Sequence, residues 1–420
     1  MKKIRKSVSA LLLYEDKIFI IKRSNSVLSF PGYTSFPGGK VEEGETLKIA
    51  LLRELKEELG TDIEKYCSRI YEWTEATSPD FNPRRFQNTY FKIELNELPD
   101  FNVDTREFSE YRWIKIQTLI QEYQEGKHLF VTPMLPLLKN INDDNFKYVR
   151  QNVDLPVIEP LSGLLQYMPL SNTLPPANRT NMFVIGEQKK IVIDPSPKDK
   201  EEYEKVKKLI KNLCVNEIFL THHHGDHHQY SNNLAKDLNI PIGISLDSKQ
   251  RIERKNANYF DKIQIKIYSE GMSLCHWKNQ EVNVYEIPGH DEGHLGLAPK
   301  NMKWFIAGDL FQGIGSVVVG GDEGNMKKYM ASLKKVIALK PDCVIPSHGI
   351  ALGGTAILEK NLRHRQLREK QVLELLMKGR DQSEILDIIY VGLDTRLKPF
   401  ALANIKSHIE KIKEEKLLPI

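Results

Sequence analysis

The sequence has few cysteines and no long apolar run. Its four cysteines lie far apart and form no Cys-x-x-Cys pair, which argues against a disulfide framework and a thiolate zinc site. We therefore expect a reducing, cytoplasmic environment. No apolar stretch approaches the roughly 18 residues that a membrane span requires. The apolar stretch after the basic start is cut short by Glu15 and Asp16, so the sequence predicts neither a membrane span nor a secretory signal.

The chain also lacks a strong excess of one charge. Its 420 residues include 60 Lys and Arg against 56 Asp and Glu, a formal net charge of +4. This excess is too small to indicate a protein that coats a polyanion. With 40% hydrophobic and 28% charged residues, the composition is typical of globular proteins rather than of disordered or fibrous ones. At roughly 100–200 residues per domain, the length predicts two to four domains.

Hydrophobic patterns divide the chain into segments. The first third reads as mixed α/β, with strand-like runs at 8–14 and 18–22 around a turn and a helix over 46–59. A polar, turn-rich stretch follows, strands alternate with helices from Val157, and the pattern is helical from Ala356. We predict a first domain at 1–135, a linker at 136–156, a second domain at 157–355 and a C-terminal helical domain at 356–420.

Three glutamates of the predicted helix carry the first chemical pattern. Glu54, Glu57 and Glu58 have the i, i+3 and i+4 spacing that places side chains on one helix face. Like charges packed together need a cation to neutralise them, and oxygen-only ligands suit Mg²⁺ or Mn²⁺. The alternative is an ordinary solvated helix face. The spacing of residues over a longer stretch of sequence distinguishes a metal site from a solvated helix face.

The stretch around these glutamates resembles the Nudix box: Phe36-Pro37-Gly38-Gly39-x5-Glu45-x7-Arg53-Glu54-Leu55-x-Glu57-Glu58-x-Gly60. The resemblance implies an α/β/α sandwich that hydrolyses a nucleoside diphosphate linked to another moiety. It also implies that Glu54, Glu57 and Glu58 hold Mg²⁺ or Mn²⁺, with Glu57 and Glu58 catalytic. Arg53 would orient a carboxylate. Gly38 and Gly39 would let the backbone approach a diphosphate.

A neighbouring pattern concerns the substrate of this domain. Arg23-Ser24-x7-Gly32-x3-Phe36 has the spacing of the coenzyme A pyrophosphatase signature, but Leu28 and Phe30 stand where that signature has Arg and His. The match is partial, so coenzyme A is an alternative substrate. Arg84 and Arg85 are further candidates for phosphate contacts, although an exposed loop pair would look the same.

Histidines carry the second chemical pattern. Five of the 12 histidines fall within residues 222–228, directly after the strand-like run 217–220. A chain that leaves a strand is extended, so side chains at 222, 224 and 226 point to one side and can share a metal cluster. Neutral imidazole and carboxylate are ligands that Zn²⁺ accepts. So many histidines with an aspartate are difficult to explain as core or surface residues.

The histidine stretch resembles the metallo-β-lactamase superfamily, an αββα sandwich. The matching motifs are Val192-Ile193-Asp194, His222-x-His224-x-Asp226-His227, Pro288-Gly289-His290, Ala307-Gly308-Asp309 and Pro346-Ser347-His348. The resemblance implies two Zn²⁺ ions. His222, His224 and His290 would hold one, and Asp226, His227 and His348 the other. Asp309 would bridge them, Asp226 would also be catalytic, and Asp194 and His294 would orient ligands by hydrogen bonds.

Within that superfamily, residues from 157 onward look most like the lactamase-like endoribonucleases. Three helices and a terminal apolar strand at 417–420 would form a winged-helix-like tail, whose arginines Arg363, Arg365 and Arg368 are candidate contacts for single-stranded RNA. Glyoxalase II enzymes share the metal ligands, so acyl-thioester hydrolysis is an alternative. A third hypothesis makes one domain a ligand-sensing module without catalysis. The oligomeric state stays open.

Overall fold

The computed structural model describes residues 4–27, 29–78, 85–103, 105–150 and 153–417. The chain divides into two compact units. The first comprises the residues up to 153 together with 159–162, and the second comprises 154–158 and the residues from 163 onward. No helix in the described ranges is long and apolar enough to cross a membrane.

The first unit is built on a mixed seven-stranded sheet. Its strand order is β4-β5-β1-β2-β3-β7, and β6 pairs with β2. Strands β1 and β2 form the antiparallel hairpin that the sequence predicts, whereas β1 and β5 run parallel. The elements are β1 Arg5–Tyr14, β2 Lys17–Arg23, β3 Tyr33–Ser35, α1 Leu47–Leu59, β4 Cys67–Thr77, β5 Phe86–Leu95, β6 Phe108–Lys115, α2 Ile116–Gln124, β7 Leu129–Phe130 and α3 Met134–Lys139.

Alternation along β1 explains the layers of this unit. Val8 and Leu12 belong to the apolar cluster that contains Leu55 of α1, whereas Leu11 belongs to the cluster that contains Leu119 of α2. Because successive side chains of a strand point to opposite faces, helices cover the sheet on both sides. The mixed α/β class and the layered arrangement predicted for this region are confirmed.

Segment 136–156, which the sequence predicts as a linker, is largely part of the first unit. Leu137 and Leu138 of α3 are buried, and Phe146 and Tyr148 pack against the same apolar cluster. The prediction of a linker from 136 was wrong for these residues, because a few apolar side chains inside a polar stretch are enough to attach it to the core. The first unit accordingly extends to about Val153.

The second unit contains two sheets. One has seven strands in the order β14-β13-β12-β11-β10-β9-β8, and the other has six in the order β15 to β20. The strands are β8 Val157–Leu161, β9 Leu164–Tyr167, β10 Met182–Ile185, β11 Ile191–Ile193, β12 Glu217–Phe219, β13 Ile242–Ile244, β14 Ile265–Ile267, β15 Ser273–Trp277, β16 Gln280–Glu286, β17 Leu295–Pro299, β18 Phe305–Gly308, β19 Cys343–Pro346 and β20 Leu352–Gly353.

Helices cover these sheets. They are α4 Lys200–Asn212, α5 Gly225–His228, α6 Ser231–Leu238, α7 Leu246–Lys255 and α8 Met326–Leu339. Val192 and Ile218 share a cluster with residues of α4, α6 and α7. The next residue of each strand, Ile193 and Phe219, points to the opposite face of the sheet and is fully buried. Burial of both faces is typical of parallel strands between a helix layer and a second layer. The αββα arrangement that the resemblance implied is consistent with this pattern.

The C-terminal region is helical, as predicted. It contains α9 Ala356–Met377, α10 Gln382–Ile389 and α11 Lys398–Glu414. A capping box starts α10, because Asp381 and Glu384 each accept a hydrogen bond from the other's backbone N–H. Val372, Ile385 and Ile405 form its small apolar core. Of the predicted terminal strand at 417–420, Leu417 lies in no strand, and the other three residues lie outside the described residues.

The stability of the first unit should depend on α1. Leu55 is fully buried, whereas Ile49 of the same helix is 55% exposed. We expect Leu55→Ala to destabilise the unit by about 2–5 kcal/mol, because it removes packed methyl groups and leaves a cavity. The control Ile49→Ala should cost less than about 0.5 kcal/mol. Hydrogen exchange of peptides from α1 measures both, and equal protection in the two variants would contradict the packing described for Leu55.

Candidate active sites

Arg53 organises the glutamates of the first unit. Its guanidinium donates to both carboxylate oxygens of Glu45, at 2.8 and 3.0 Å. Its Nη1 also donates to Glu54 Oε1 at 3.0 Å and to Glu57 Oε2 at 3.1 Å. The hydrogen bonds from Arg53 lower the pKa of Glu45 to about 2. The orienting role implied for Arg53 therefore has a geometric basis in three carboxylates held by one cation.

Glu58 occupies a different environment from its neighbours. It is 7% exposed, and its Oε2 accepts a hydrogen bond from the Gly38 N–H at 2.7 Å. Burial raises the pKa of Glu58 to about 8, and it also raises the pKa of Glu54. A bound cation would offset this cost, because it stabilises the ionised form. These two carboxylates thus have the electrostatic character of ligands for a hard cation.

The glycine pair at 38–39 brings the backbone against this helix. A Cβ on Gly39 would lie 2.4 Å from the carboxylate of Glu54, so a larger residue there would displace this side chain. Both sequence-predicted glycines therefore lie beside the carboxylates. Glu54, Glu57 and Glu58 do not form a group with all ligand atoms within 4.8 Å, and such groups among the described residues occur only in the second unit.

Other candidates of the first unit make contacts of their own or lie outside the described residues. Arg84 and Leu28 lie outside the described residues. Arg85 directs its guanidinium to the carbonyl of Ser78, at 3.4 Å. Arg23 donates to the carbonyl of Ser29 at 2.8 Å, and Phe30 packs edge-on against Tyr33. A phosphate contact by Arg85 stays a prediction.

In the second unit, three histidines converge on a single point. The Nδ1 of His224 lies 3.0 Å from the Nε2 of His222 and 3.0 Å from the Nε2 of His290. Two nitrogens bound to one tetrahedral zinc, each about 2.0–2.1 Å from the ion, are themselves about 3.3 Å apart. The spacing is thus close to that of a shared metal. It places together the three residues that the resemblance assigned to the first ion.

A second group lies beside the first. Asp226, His227 and His348 have ligand atoms within 4.8 Å of one another, and so do His222, His227 and Asp309. The two oxygens of Asp309 face different neighbours, since Oδ1 lies 3.5 Å from His348 Nε2 and Oδ2 lies 3.7 Å from His290 Nε2. This position between the groups is the one that a bridging carboxylate requires.

The donor set fits metal ions on a further observation. His227 Nε2 and Asp309 Oδ1 are buried and have no hydrogen-bond partner among the described residues. Buried polar atoms rarely lack a partner, and each such atom costs about 1–3 kcal/mol. Burial, reinforced by neighbouring histidines, lowers the pKa of His222 well below its ordinary value. A neutral imidazole with a free lone pair is the form that binds a divalent cation.

Asp194 and His294 lie beside the candidate ligands and contact them. Asp194 follows β11 and accepts from the backbone N–H of Thr221 at 2.8 Å and from its hydroxyl at 2.6 Å. It also pairs with His227 Nδ1 at 2.8 Å, so the opposite nitrogen faces the cluster. The Nε2 of His294 accepts a hydrogen bond from the backbone N–H of Asp309 at 3.2 Å. Both contacts orient a ligand.

Sequence reasoning missed Glu323 and Asp291, which contact the histidine stretch. Glu323 Oε1 lies 2.7 Å from His224 Nε2, and Oε2 lies 2.9 Å from His223 Nε2. His223 also contacts Asp291 through Nδ1. Burial alone would lower the pKa of His223, but its bonds to Asp291 and Glu323 outweigh burial and raise it to about 9. His223 thus belongs to a buried network of ion pairs, and no local motif marks Glu323.

The three candidate arginines of the C-terminal tail differ in their exposure and in their contacts. Arg363 is exposed and pairs loosely with Glu359, at 3.7 Å. Arg368 lies over the ring of Tyr390, 4.7 Å from its centroid. Arg365 is only 7% exposed, and its guanidinium donates to the Val317 carbonyl at 2.6 Å. The prediction that Arg365 contacts RNA phosphate was wrong, because its donors are used inside the protein.

Comparison with protein families separates the two units. A profile described as the NUDIX domain matches residues 3–133, and one described as the metallo-beta-lactamase superfamily matches residues 175–348. An RNA pyrophosphohydrolase of Campylobacter jejuni is 31% identical over 133 residues, which are 29% of this chain and 83% of that protein.

Relatives of the second unit are more distant. The beta-lactamase-like protein 2 homolog of Drosophila melanogaster is 25% identical over 261 residues, covering 56% of this chain and 82% of that protein. A solved beta-lactamase domain protein from Burkholderia ambifaria superposes with a TM-score of 0.51 and 18% identity, over 64% of this chain and 91% of that one. This structural likeness supports the fold alone.

The raised pKa of Glu58 predicts a pH dependence for the metal-free chain. Its folded-state pKa of about 8 exceeds the ordinary 4.5, so the stabilising protonated form is fully present below pH 4.5 and lost as pH rises toward 8. In EDTA, the urea midpoint of the first unit should therefore fall more between pH 5 and 8 in the wild type than in Glu58→Gln. Pulse proteolysis in urea measures the midpoint. Glu57→Gln, which removes an exposed carboxylate of the same helix, is the control and should keep the wild-type slope.

Proposed function

Because the chain belongs to the NUDIX family through its first unit and to the metallo-beta-lactamase superfamily through its second, we propose that it is a bifunctional RNA hydrolase. In this proposal the first unit hydrolyses a phosphoanhydride at an RNA 5′ end or in a related nucleoside diphosphate derivative. The second cleaves phosphodiesters of single-stranded RNA. The observation that carries the proposal is that each unit gathers candidate metal ligands: carboxylates around Arg53 in the first, and imidazoles and carboxylates within 4.8 Å of one another in the second.

The substrate of the first unit is inferred from its relatives. The chain spans most of the length of RNA pyrophosphohydrolases at 31% identity. Glu54, Glu57 and Glu58 would hold Mg²⁺ or Mn²⁺, since their donors are all oxygens. Arg53 keeps Glu54 and Glu57 oriented, and the Gly38 N–H does the same for Glu58. The backbone at 38–39 is then free to approach a diphosphate.

The second unit would hold two Zn²⁺ ions. His222, His224 and His290 suit one ion, and Asp226, His227 and His348 suit the other, with Asp309 between them. Two bound ions supply a hydroxide at neutral pH and stabilise attacking and leaving oxygens. Asp194 and His294 fix the orientation of His227 and Asp309 through hydrogen bonds. Asp226 is placed beside His348, at 3.5 Å, where it can also accept a proton from an attacking water.

Separate variants should silence the two activities independently. Glu57→Gln should reduce diphosphate hydrolysis at least about 100-fold and leave RNA cleavage intact. Asp309→Ala should abolish RNA cleavage and leave diphosphate hydrolysis intact. We expect this independence because each site has its own core. Elemental analysis of wild-type protein purified without chelators should find two transition-metal ions per chain. A folded Glu57→Gln protein that loses both activities would contradict the two-site hypothesis, and fewer than one metal ion per chain would contradict the dinuclear centre.

Substrate class can be decided with matched probes. Wild-type protein should cleave single-stranded RNA with a steep salt dependence, and Arg363→Gln should lower the slope of log affinity against log salt by roughly 0.7 if one phosphate contact is lost. Arg396→Gln, which removes an exposed arginine outside α9, is the control.

Efficient hydrolysis of an acyl thioester, with RNA uncut at low salt, would instead favour the thioesterase alternative. Coenzyme A would then also be tested on the first unit. Metal binding without turnover of any probe would favour the ligand-sensing hypothesis.

A further inference from the structure

His290 is oriented by a backbone carbonyl. Its Nδ1 lies 2.8 Å from the carbonyl oxygen of Val318. A carbonyl can only accept, so Nδ1 carries the proton and the lone pair of His290 is on Nε2, which faces His224. Residues 317–319 belong to no helix or strand. The position of this carbonyl therefore depends on tertiary contacts.

The C-terminal helices hold this segment on both sides of Val318. Arg365 of α9 donates through Nη2 to the Val317 carbonyl at 2.6 Å. The Oδ1 of Asn404 in α11 accepts from the Val319 N–H at 2.8 Å and from Arg365 Nη1 at 3.2 Å. All of these bonds are buried. Two side chains from the tail thus fix the peptides that flank the carbonyl.

The backbone approach between α11 and the chain after this segment is close. A Cβ on Gly320 would lie 2.5 Å from the carbonyl oxygen of Ala403. The hydroxyl of Ser407, one turn further along α11, accepts from the N–H of Met326 at the start of α8 at 2.9 Å. The neighbouring Asn325 N–H donates to the carbonyl of Gly289, at 2.8 Å. A second set of bonds therefore connects α11 to the residue before His290.

We propose that α9 and α11 complete the metal centre: Arg365 and Asn404 are positioning residues that hold 317–319 so that Val318 aims His290 at the metal. The proposal rests on the dinuclear centre of the proposed function. It gives Arg365 a role that its position in a basic tail does not suggest. A hydrogen bond to the second nitrogen of a histidine ligand fixes its ring, and loss of such a bond typically costs 10–100-fold in metal affinity.

The test compares two variants of Asn404 with a control in the same helix. Asn404→Leu keeps the approximate volume and removes the acceptor for Val319 and Arg365, whereas Asn404→Asp retains it. Lys411→Met is the matched control, because it breaks a partly buried 2.8 Å bond to Glu369 between the same two helices. The full-length proteins are stripped of metal, and Co²⁺ is titrated in with a competing chelator. Visible absorption reports the ligand geometry, and thermal unfolding of the stripped proteins confirms that they are folded.

We expect Asn404→Leu to bind its weakest Co²⁺ about 10–100-fold less tightly and with an altered spectrum, and Asn404→Asp and Lys411→Met to match the wild type. If a folded Asn404→Leu protein binds Co²⁺ as the wild type does, the positioning role is overturned while the metal centre stands. If Asn404→Leu does not fold, Arg365→Lys decides, since a lysine cannot span both acceptors. An Arg365→Lys protein that binds Co²⁺ with the wild-type affinity would also overturn the proposal. Wild-type protein that binds no metal would overturn the dinuclear centre itself.

Discussion

Burial of imidazoles and carboxylates at the ends of strands is the constraint on which the second unit depends. His222, His227 and Asp309 are almost completely removed from solvent. Burial alone would lower the pKa of His227, but Asp226, Asp194 and Asp309 outweigh it and raise it well above its ordinary value. Neutral and charged rings therefore lie within a few ångströms of one another. Divalent cations would replace those protons and would bind the buried polar atoms that have no hydrogen-bond partner.

Several residues of the candidate metal centre were predictable because they follow a strand. Asp194 follows β11, His222 follows β12, Asp309 follows β18 and His348 follows β19. A buried strand is visible in the sequence as a short apolar run, and the polar residue after it emerges at an edge of the sheet. The spacing of the motifs and the ends of the predicted strands therefore indicate the same polar residues. The structure adds the distances but does not change which of these residues meet.

Some of the residues that support the candidate ligands were not predictable in this way. Glu323, Arg365 and Asn404 act on residues 39 to 100 positions away, and no periodicity or motif relates the partners. Arg365 shows the difficulty most clearly. An arginine on a helix with other basic residues has the pattern of a nucleic-acid contact, yet its burial is decided by a loop that the local sequence does not reveal. The linker prediction failed for the same reason, since Leu137 and Phe146 are ordinary in a polar stretch until the core that they cover is known.

The two units offer metals different donors, and this difference bears on how one chain could run two reactions. The glutamates around Arg53 present only oxygens, whereas the second unit presents mostly imidazole nitrogens. Oxygen sites favour hard cations such as Mg²⁺, and imidazole sites favour Zn²⁺, so neither ion should displace the other from its preferred unit. Loading of one unit can then proceed without loss of the other.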